Sequence, residues 1–393
     1  MSKFYTNVKQ LGKFILLRGV KNGKKFQQKI EYQPTLYTTA NKETGFKTLF
    51  DKPLLPNKFD GIYEAKDFVK KYKDVENFHI FGNENYDTQF LNETFPGIIE
   101  YDKDFILTHT IDIETEVEHG GFPDYKNPVE KIQLISIMNK TNKRITTFGI
   151  VDYDTEDENV TYIKCSSETD LLLKYLAFNE NDYPNVFTGW NIGGFDFPYT
   201  VERIRRVLGD DAVNRLSPFG KVSTREKEFQ GQTSLIVEIV GIAIVDYLEL
   251  YKKFTYEKRE EYKLDFIAEV ELGKNKLENN YSTFKDFYTN DPELFVSYNI
   301  MDVRLVDELE DKLKLIELAY SIAYMAKINF DQVFSPVRMW DNIIYNHLME
   351  QGVIVPMKES YGDSDGSIEG AYVKPPLVGK HSWIASFDLA SLD

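Results

Sequence analysis

Across 393 residues there is one cysteine, Cys165. A disulfide framework within the chain and any multi-thiolate zinc or iron–sulfur centre are thereby excluded, and a reducing compartment is favoured. Histidine is nearly as scarce: the five, at positions 79, 109, 119, 347 and 381, are too scattered to build a histidine metal centre. No apolar run approaches the ~20 residues that a bilayer requires. The opening MSKFYTNVKQLGKFILLRG has too short an apolar segment, and no small-residue cleavage site, for a secretory signal. The expected location is the cytoplasm, with no membrane partner. Repeats with a period of about 20 to 50 residues are missing, as are Gly/Ser- or Pro-rich tracts, which excludes solenoids and flexible tandem modules. Positive charge is also short: 47 Lys and Arg face 63 Asp and Glu, a net −16. Taken alone, that balance argues against a polyanionic partner, because phosphate contacts need positive charge.

What is present is core-forming material. Hydrophobic residues make up 42% of the chain and aromatics 14%, with 28 Phe and 25 Tyr, against 28% charged residues. That is a packed globular composition, and at about 100 to 200 residues per domain it implies two or three domains. Residues 1 to about 100 mix short alternating segments (KFILLRGV, KFQQKIEY, TLYTTA) with a helix expected at AKDFVKKYKDV, a small α+β domain. From Phe105 the runs FILTHTIDIE, EKIQLISIMN and KRITTFGIV read as three antiparallel strands. SSETDLLLKYLAF then reads as a Ser/Thr-capped helix and NVFTGWN as a buried strand, giving the order βββαβ. FPYTVERIRRVLG predicts a helix ending at Gly209, and LIVEIVGIAIVDYLELYKKF predicts strand, turn, strand, helix. The expected class is therefore α/β, with a mixed sheet at its centre.

After Asp302, VRLVDELEDKLKLIELAYSIAYMAK reads as one helix whose apolar stripe is Leu305, Leu309, Leu313 and Ile316. A second helix opens at Ser335-Pro336, with Ser as cap and Pro at the first helical position, and runs to about Gln351-Gly352. The last segment, HSWIASFDLASLD, reads as a strand.

The chemistry lies in carboxylates. Ile-Asp-Ile-Glu places Asp112 and Glu114 two apart, on one face of a strand. Two like charges held together are costly, and hard divalent cations with oxygen ligands offset that cost. NIGGFD puts Asp196 just past a strand's end at a helix start, 84 residues after Asp112. YNIMD puts Tyr298 and Asp302 at i and i+4 on one helix face, 106 residues after Asp196. Each motif alone is common, but the ordered set is specific. In-line hydrolysis of a phosphodiester needs both the attacking and the leaving oxygen stabilised, which two metals ~3.5 to 4 Å apart can do.

The set resembles the Exo I, Exo II and Exo III motifs of the DEDD 3′-to-5′ exonucleases, in the tyrosine-bearing subtype, since position 298 is Tyr. The resemblance implies two divalent ions, Mg²⁺ or Mn²⁺. It implies that Asp112 bridges both, that Glu114 and Asp302 complete one site and that Asp196 holds the other, while Tyr298 orients the attacking water. Two such ions would take the formal charge from −16 to −12. From Glu202 to Lys227, seven basic residues (Arg203, Arg205, Arg206, Arg215, Lys221, Arg225, Lys227) face four acidic ones, a local +3 beside Asp196 that reads either as a phosphate-attracting patch or as a solvated face. Phe122 in GGFP suits stacking on a terminal base, and ordinary packing suits it equally.

The likeness widens beyond these motifs. FTGWNIGGFDFPYTVERI, VDYLELYKKF, VSYNIMDV, AKINFDQVFSPVRMWDNIIYNHL, GAYVKPP and SFDLASL resemble the replicative family B DNA polymerases of T-even-like phages. The fold so implied is an RNase H-like exonuclease domain over 103–316. It is flanked by an N-terminal domain built from two segments, 1–102 and 317–362, and 363–393 begins a polymerase palm. By the same resemblance Asn191, Phe195, Gln230 and Gly231 join Phe122 in touching DNA, and Asp388 matches the first metal ligand of polymerase motif A. The implied function is proofreading excision at single-stranded or frayed DNA 3′ ends, without polymerisation by this chain alone. Implied partners are DNA, a complementary polymerase chain and RNA at the N-terminal domain; the alternatives are half of a split polymerase acting mainly by docking with a palm, fingers and thumb chain, and a DEDD-type ribonuclease. Residues 226–239 read as a β-hairpin with Gln230-Gly231-Gln232 at its tip. In the resembling polymerases such a hairpin holds template and primer ends apart, and a plain structural hairpin is the other reading.

Overall fold

Short alternating segments rich in β-branched and aromatic residues open the chain. The computed structural model describes residues 3–118, 121–229, 232–274, 281–357, 374–385 and 387. Strands β1 (Lys3–Leu11), β2 (Phe14–Lys21) and β3 (Lys24–Glu31) form an antiparallel meander. The alternation of KFILLRGV and KFQQKIEY locates β2 and β3 but leaves β1 unseen. Five consecutive residues of β1, from Phe4 to Val8, are buried, so it lacks the polar alternation of a one-sided strand. Strands β4 (Thr35–Thr39) and β5 (Leu54–Lys58), helix α1 (Ile62–Tyr72), strand β6 (Ile80–Phe81) and helix α2 (Tyr86–Thr94) follow, with β5-β4-β6 as a second small antiparallel sheet. Helix α1 starts three residues earlier than the expected AKDFVKKYKDV; it buries Ile62, Ala65 and Val69, one stripe at helical spacing.

A six-stranded mixed sheet carries the centre of the chain. Strands β7 (Thr108–Thr115), β8 (Ile132–Asn139) and β9 (Ile145–Gly149) are antiparallel, as expected. The order βββαβ is incomplete, however, because β10 (Val160–Lys164) adds parallel to β9 before helix α3 (Glu168–Asn181). Strand β10 is short and only its first residue is buried, so no apolar run announces it. Helix α3 is capped by Ser167, which accepts from the Asp170 N–H. Strand β11 (Val186–Gly189), helices α4 (Asp196–Leu208) and α5 (Asp210–Asn214), and strands β12 (Val222–Phe229), β13 (Gln232–Ile239) and β14 (Ala243–Asp246) come next. The sheet order is β10-β9-β8-β7-β11-β14, with β11 parallel to both neighbours. Strands β12 and β13 form the hairpin, which begins at Val222 and pairs through Phe229 and Gln232.

Helices complete the layers: α6 (Tyr247–Phe254), α7 (Leu264–Leu272), α8 (Phe284–Asn290), α9 (Pro292–Leu313), α10 (Leu315–Ala326) and α11 (Pro336–Glu350). The single helix expected after Asp302 is in fact two. Lys314 sits at φ 56°, a left-handed residue that breaks the run, and the Glu310 carboxylate accepts from the Ile316 N–H at 2.9 Å, capping α10. Apolar periodicity survives such a break, so the stripe hides it. Helix α11 begins as expected, with Ser335 accepting from the Arg338 N–H and Pro336 at the first position.

Residues 3–8 and 319–330 share one apolar cluster that includes Phe4, Tyr5, Ala323, Tyr324 and Phe330. The Tyr5 hydroxyl donates to the Ile328 carbonyl at 2.7 Å. The Asn329 amide both donates to the Val8 carbonyl, at 2.7 Å, and accepts from the Val8 N–H, at 2.9 Å, so one side chain mimics a paired strand along β1. The chain divides into two units, Met1–Met357 and Lys358–Asp393. In the second, 374–385 and 387 are described and form no strand, and most of HSWIASFDLASLD, read as a strand, lies outside the described residues.

Candidate active site

Strand β7 is a half-buried strand by composition. Ile111 and Ile113 go into the core, while Asp112 and Glu114, on the other face, are half-buried. Helix α9 packs across β7 and β8. Its start is fixed by Asp291, which accepts from the Leu294 N–H at 3.1 Å, and by Pro292 at the first helical position. Roughly the first three turns of the helix then carry Asn299 and Asp302 to the strand. Carboxylate oxygens of Asp112, Glu114 and Asp302 all lie within 4.8 Å of one another. Thus strand and helix bring together three of the acids that spacing singled out. The donor set is all carboxylate oxygen, with neither nitrogen nor sulfur, which suits a hard divalent cation such as Mg²⁺ or Mn²⁺.

Asp196 occupies a different place. Strand β11 pairs with β7 only from Thr108 to Thr110. Where β11 stops, the Asp196 carboxylate takes over and accepts from the Ile113 N–H at 3.1 Å. Gly189 permits the close approach of the two strands: a Cβ there would lie 2.4 Å from the Ile111 carbonyl oxygen. Burial, with the negative charges of Asp246 and Asp302 nearby, raises the Asp196 carboxyl above the usual carboxylate range. It lies outside the 4.8 Å group formed by the other three acids.

Two structural residues of the site escape the sequence reading, and a third is read there only as surface charge. Asp246, at the end of β14, accepts from the N–H groups of Asn191 (3.1 Å) and Gly193 (2.8 Å), and also caps α6 through Leu248 (3.0 Å), so it clamps the turn before Asp196. An acid closing an apolar strand just before a helix is a recognisable cap signal. Asn299 is fully buried and its Nδ2 donates to Asp112 Oδ2 at 2.6 Å. Its position three residues before Asp302 places both on one helix face, which was the available signal.

Arg203 is the third, and it corrects an expectation. Far from adding to a phosphate-attracting patch, it is buried in a bidentate pair with Glu168, at 2.7 Å for each bond, and donates to the Pro128 carbonyl at 2.7 Å. Arg205 is paired with Glu202 and Asp210, and Arg215 with Glu180. Three of the seven basic residues are thus held in structural pairs, while Arg206, Lys221, Arg225 and Lys227 are exposed.

Arg203 and Tyr199, whose hydroxyl donates to the Glu130 carbonyl at 2.6 Å, strap down the loop between β7 and β8. That loop carries Phe122, which is 80% exposed, its ring centroid 4.8 Å from that of Phe195. Phe195 in turn lies 5.4 Å from Tyr199, making a short aromatic row beside the first turn of α4. Asn191 is exposed at φ 63°, and its side-chain oxygen lies where a Cβ on Gly194 would intrude, at 2.4 Å. Tyr298 is half-buried, its ring edge-on to Phe287 at 5.8 Å. Gln230, Gly231 and Asp388 lie outside the described residues.

With this geometry in view, the sequence model of the family described as DNA polymerase family B, exonuclease domain, matches residues 109–267. The DNA-directed DNA polymerase of Enterobacteria phage T4 is 31% identical over the whole of this chain, covering 46% of that relative. The chain belongs to the family B DNA polymerases. It corresponds to their N-terminal and exonuclease region. A second family B relative, the DNA-directed DNA polymerase of Escherichia phage RB69, is 30% identical over the same extent. The polymerase delta catalytic subunit of Caenorhabditis elegans is 25% identical over 73% of this chain and 28% of its own length. The chain thus spans about half the length of the phage polymerases it matches. Within the family B exonuclease match lie Asp112, Glu114 and Asp196; Tyr298 and Asp302 lie beyond it, in the part aligned with the phage polymerases.

Proposed function

We propose that this chain is a 3′-to-5′ exodeoxyribonuclease of the proofreading kind, acting in the cytoplasm on single-stranded or frayed DNA 3′ ends. The observation that carries the reading is the group of Asp112, Glu114 and Asp302 oxygens gathered by β7 and α9. In this reading the six-stranded sheet is RNase H-like, and residues 317–357 complete an N-terminal domain begun by 1–102, a division favoured by the Tyr5 and Asn329 bonds.

Asp112, Glu114 and Asp302 would hold one divalent ion, and Asp112 with Asp196 a second. Two Mg²⁺ or Mn²⁺ ions, when bound, would supply Lewis-acid stabilisation to the attacking and leaving oxygens of a phosphodiester. The chain's own residues do the rest. The Tyr298 hydroxyl orients the attacking water, its ring fixed by Phe287. Phe122 and Phe195 stack on the terminal bases, which favours an unpaired end because a frayed base is free to leave its neighbours and stack on the rings. Asn191, at the mouth of the turn before Asp196, contacts the strand being cut. The chain matches 46% of the length of the phage polymerases, so polymerisation is no part of this proposal.

The test uses a 5′-labelled DNA oligonucleotide with Mg²⁺ or Mn²⁺. Excision should give a ladder that keeps the label and loses one nucleotide at a time, and Asp112→Ala should give none. Early release of the labelled nucleotide, or internal cuts, would overturn the reading. A matched RNA oligonucleotide degraded faster than the DNA would turn it to a ribonuclease.

A further inference from the structure

Asp112 and Asp302 bring like charges together across the strand–helix contact, yet α9 lies close on β7. The group that reconciles them is Asn299. It shares a helix face with Asp302, is 0% exposed, and places its amide Nδ2 2.6 Å from Asp112 Oδ2. A hydrogen bond to a carboxylate is charge-assisted and stronger than one between neutral groups. The orientation is also determined: with the amide reversed, Asn299 Oδ1 would face a carboxylate oxygen, with no proton between them.

Building on the exonuclease reading above, we propose that Asn299 is a positioning residue for the metal centre. By holding Asp112 Oδ2 it fixes the carboxylate torsion where Asp112, Glu114 and Asp302 would share cations. Metal ligands are oriented in this way by outer hydrogen-bond partners, and loss of such a partner typically costs about 10- to 100-fold in metal affinity. The same bond locks the register of α9 on β7, so Asn299 sets where Asp302 arrives as well as how Asp112 points.

The experiment is a Mn²⁺ titration of the full chain without DNA, read by electron paramagnetic resonance of free Mn²⁺ and run well below the melting temperature. Asn299→Leu keeps the branched shape and removes the donor. It should weaken Mn²⁺ binding at least about 10-fold, while excision at saturating Mn²⁺ recovers to within a few-fold of wild type. A residue that merely supports the fold would lower the melting temperature and leave Mn²⁺ affinity unchanged, and affinity within twofold of wild type overturns the proposal. Should Asn299→Leu not fold, Asn299→Ala is read against the same threshold. Asp112→Asn separates the two levels of inference. If it leaves Mn²⁺ binding intact, the acids are not the metal centre and the exonuclease reading falls too. If it abolishes binding while the Asn299 variants do not weaken it, only the role given to Asn299 falls.

Discussion

Asp196 and Ile113 are joined by a hydrogen bond from the strand's backbone N–H to the acid's carboxylate, at 3.1 Å, at the point where β11 no longer reaches β7. The acid of the second motif is therefore also part of the sheet. Asp196→Ala should abolish excision and strand a buried donor, at a cost of about 1 to 3 kcal/mol. Asp196→Asn keeps an oxygen acceptor and removes a carboxyl whose charge burial disfavours, so it should be at least as stable as wild type and equally inactive. Denaturant unfolding of the two variants checks this; equal stabilities would remove the structural role.

Tyr298→Phe should slow excision less than Asp302→Ala, because the ring remains packed on Phe287 and only the hydroxyl is lost. Mn²⁺ affinity should be unchanged in the first variant and reduced in the second. Single-turnover rates on a single-stranded oligonucleotide provide the comparison, and a loss as complete as that of Asp302→Ala would assign Tyr298 more than water orientation.

His109, the second residue of β7, lies among Phe178 and Phe187, 4% exposed, and burial pulls its imidazole down from 6.5 to about 4. The unfolded chain takes up this proton first. The folded state therefore loses stability as pH falls from about 6.5 towards 4, by roughly 3 kcal/mol in all. His109→Phe carries no such proton. Its stability relative to wild type should rise by that amount between pH 7 and pH 4, whatever the difference at pH 7. Carboxyls raised by burial, such as Asp196, act in the opposite direction in both proteins and cancel in the comparison. Parallel curves across that range would refute it.

Strands β12 and β13 project as a paired ribbon down to Phe229 and Gln232. If the ribbon separates strands, deleting residues 229–234 should spare excision of single strands and slow excision from a duplex end. The comparison should be made in this chain and again with a palm-bearing partner chain. Equal slowing on both substrates would indicate damage to the site, and no slowing on either would leave a structural hairpin.

The parts legible in the sequence were those that depend on local spacing. Asp112 with Glu114 follows from a period of two and Tyr298 with Asp302 from a helical turn, and α4 ends at Gly209 as its glycine predicts. What was not legible depends on partners far away in sequence. Arg203 reads as surface charge until Glu168 and the Pro128 carbonyl close around it. Asn299 shares a helix face with Asp302, but its partner is not named until β7 brings Asp112 to it. The break at Lys314 depends on Glu310 turning back to cap α10, which an uninterrupted apolar stripe conceals.

The amide of Asn329 that seals β1 also sets a timetable for synthesis. Val8 and Asn329 are 321 residues apart. At about 5 to 20 residues per second, a ribosome takes roughly 16 to 64 s to deliver the second after the first. Strands β7 to β14 can assemble behind the tunnel while β1 still has an open edge, the kind of exposed backbone that chaperones and proteases find. Nascent chains arrested before residue 329 leaves the tunnel should be cut within 3–11 yet resist in 108–246, and chains arrested well beyond it should resist in both. Equal protection of both segments in the shorter chains would mean that β1 finds its place without Asn329.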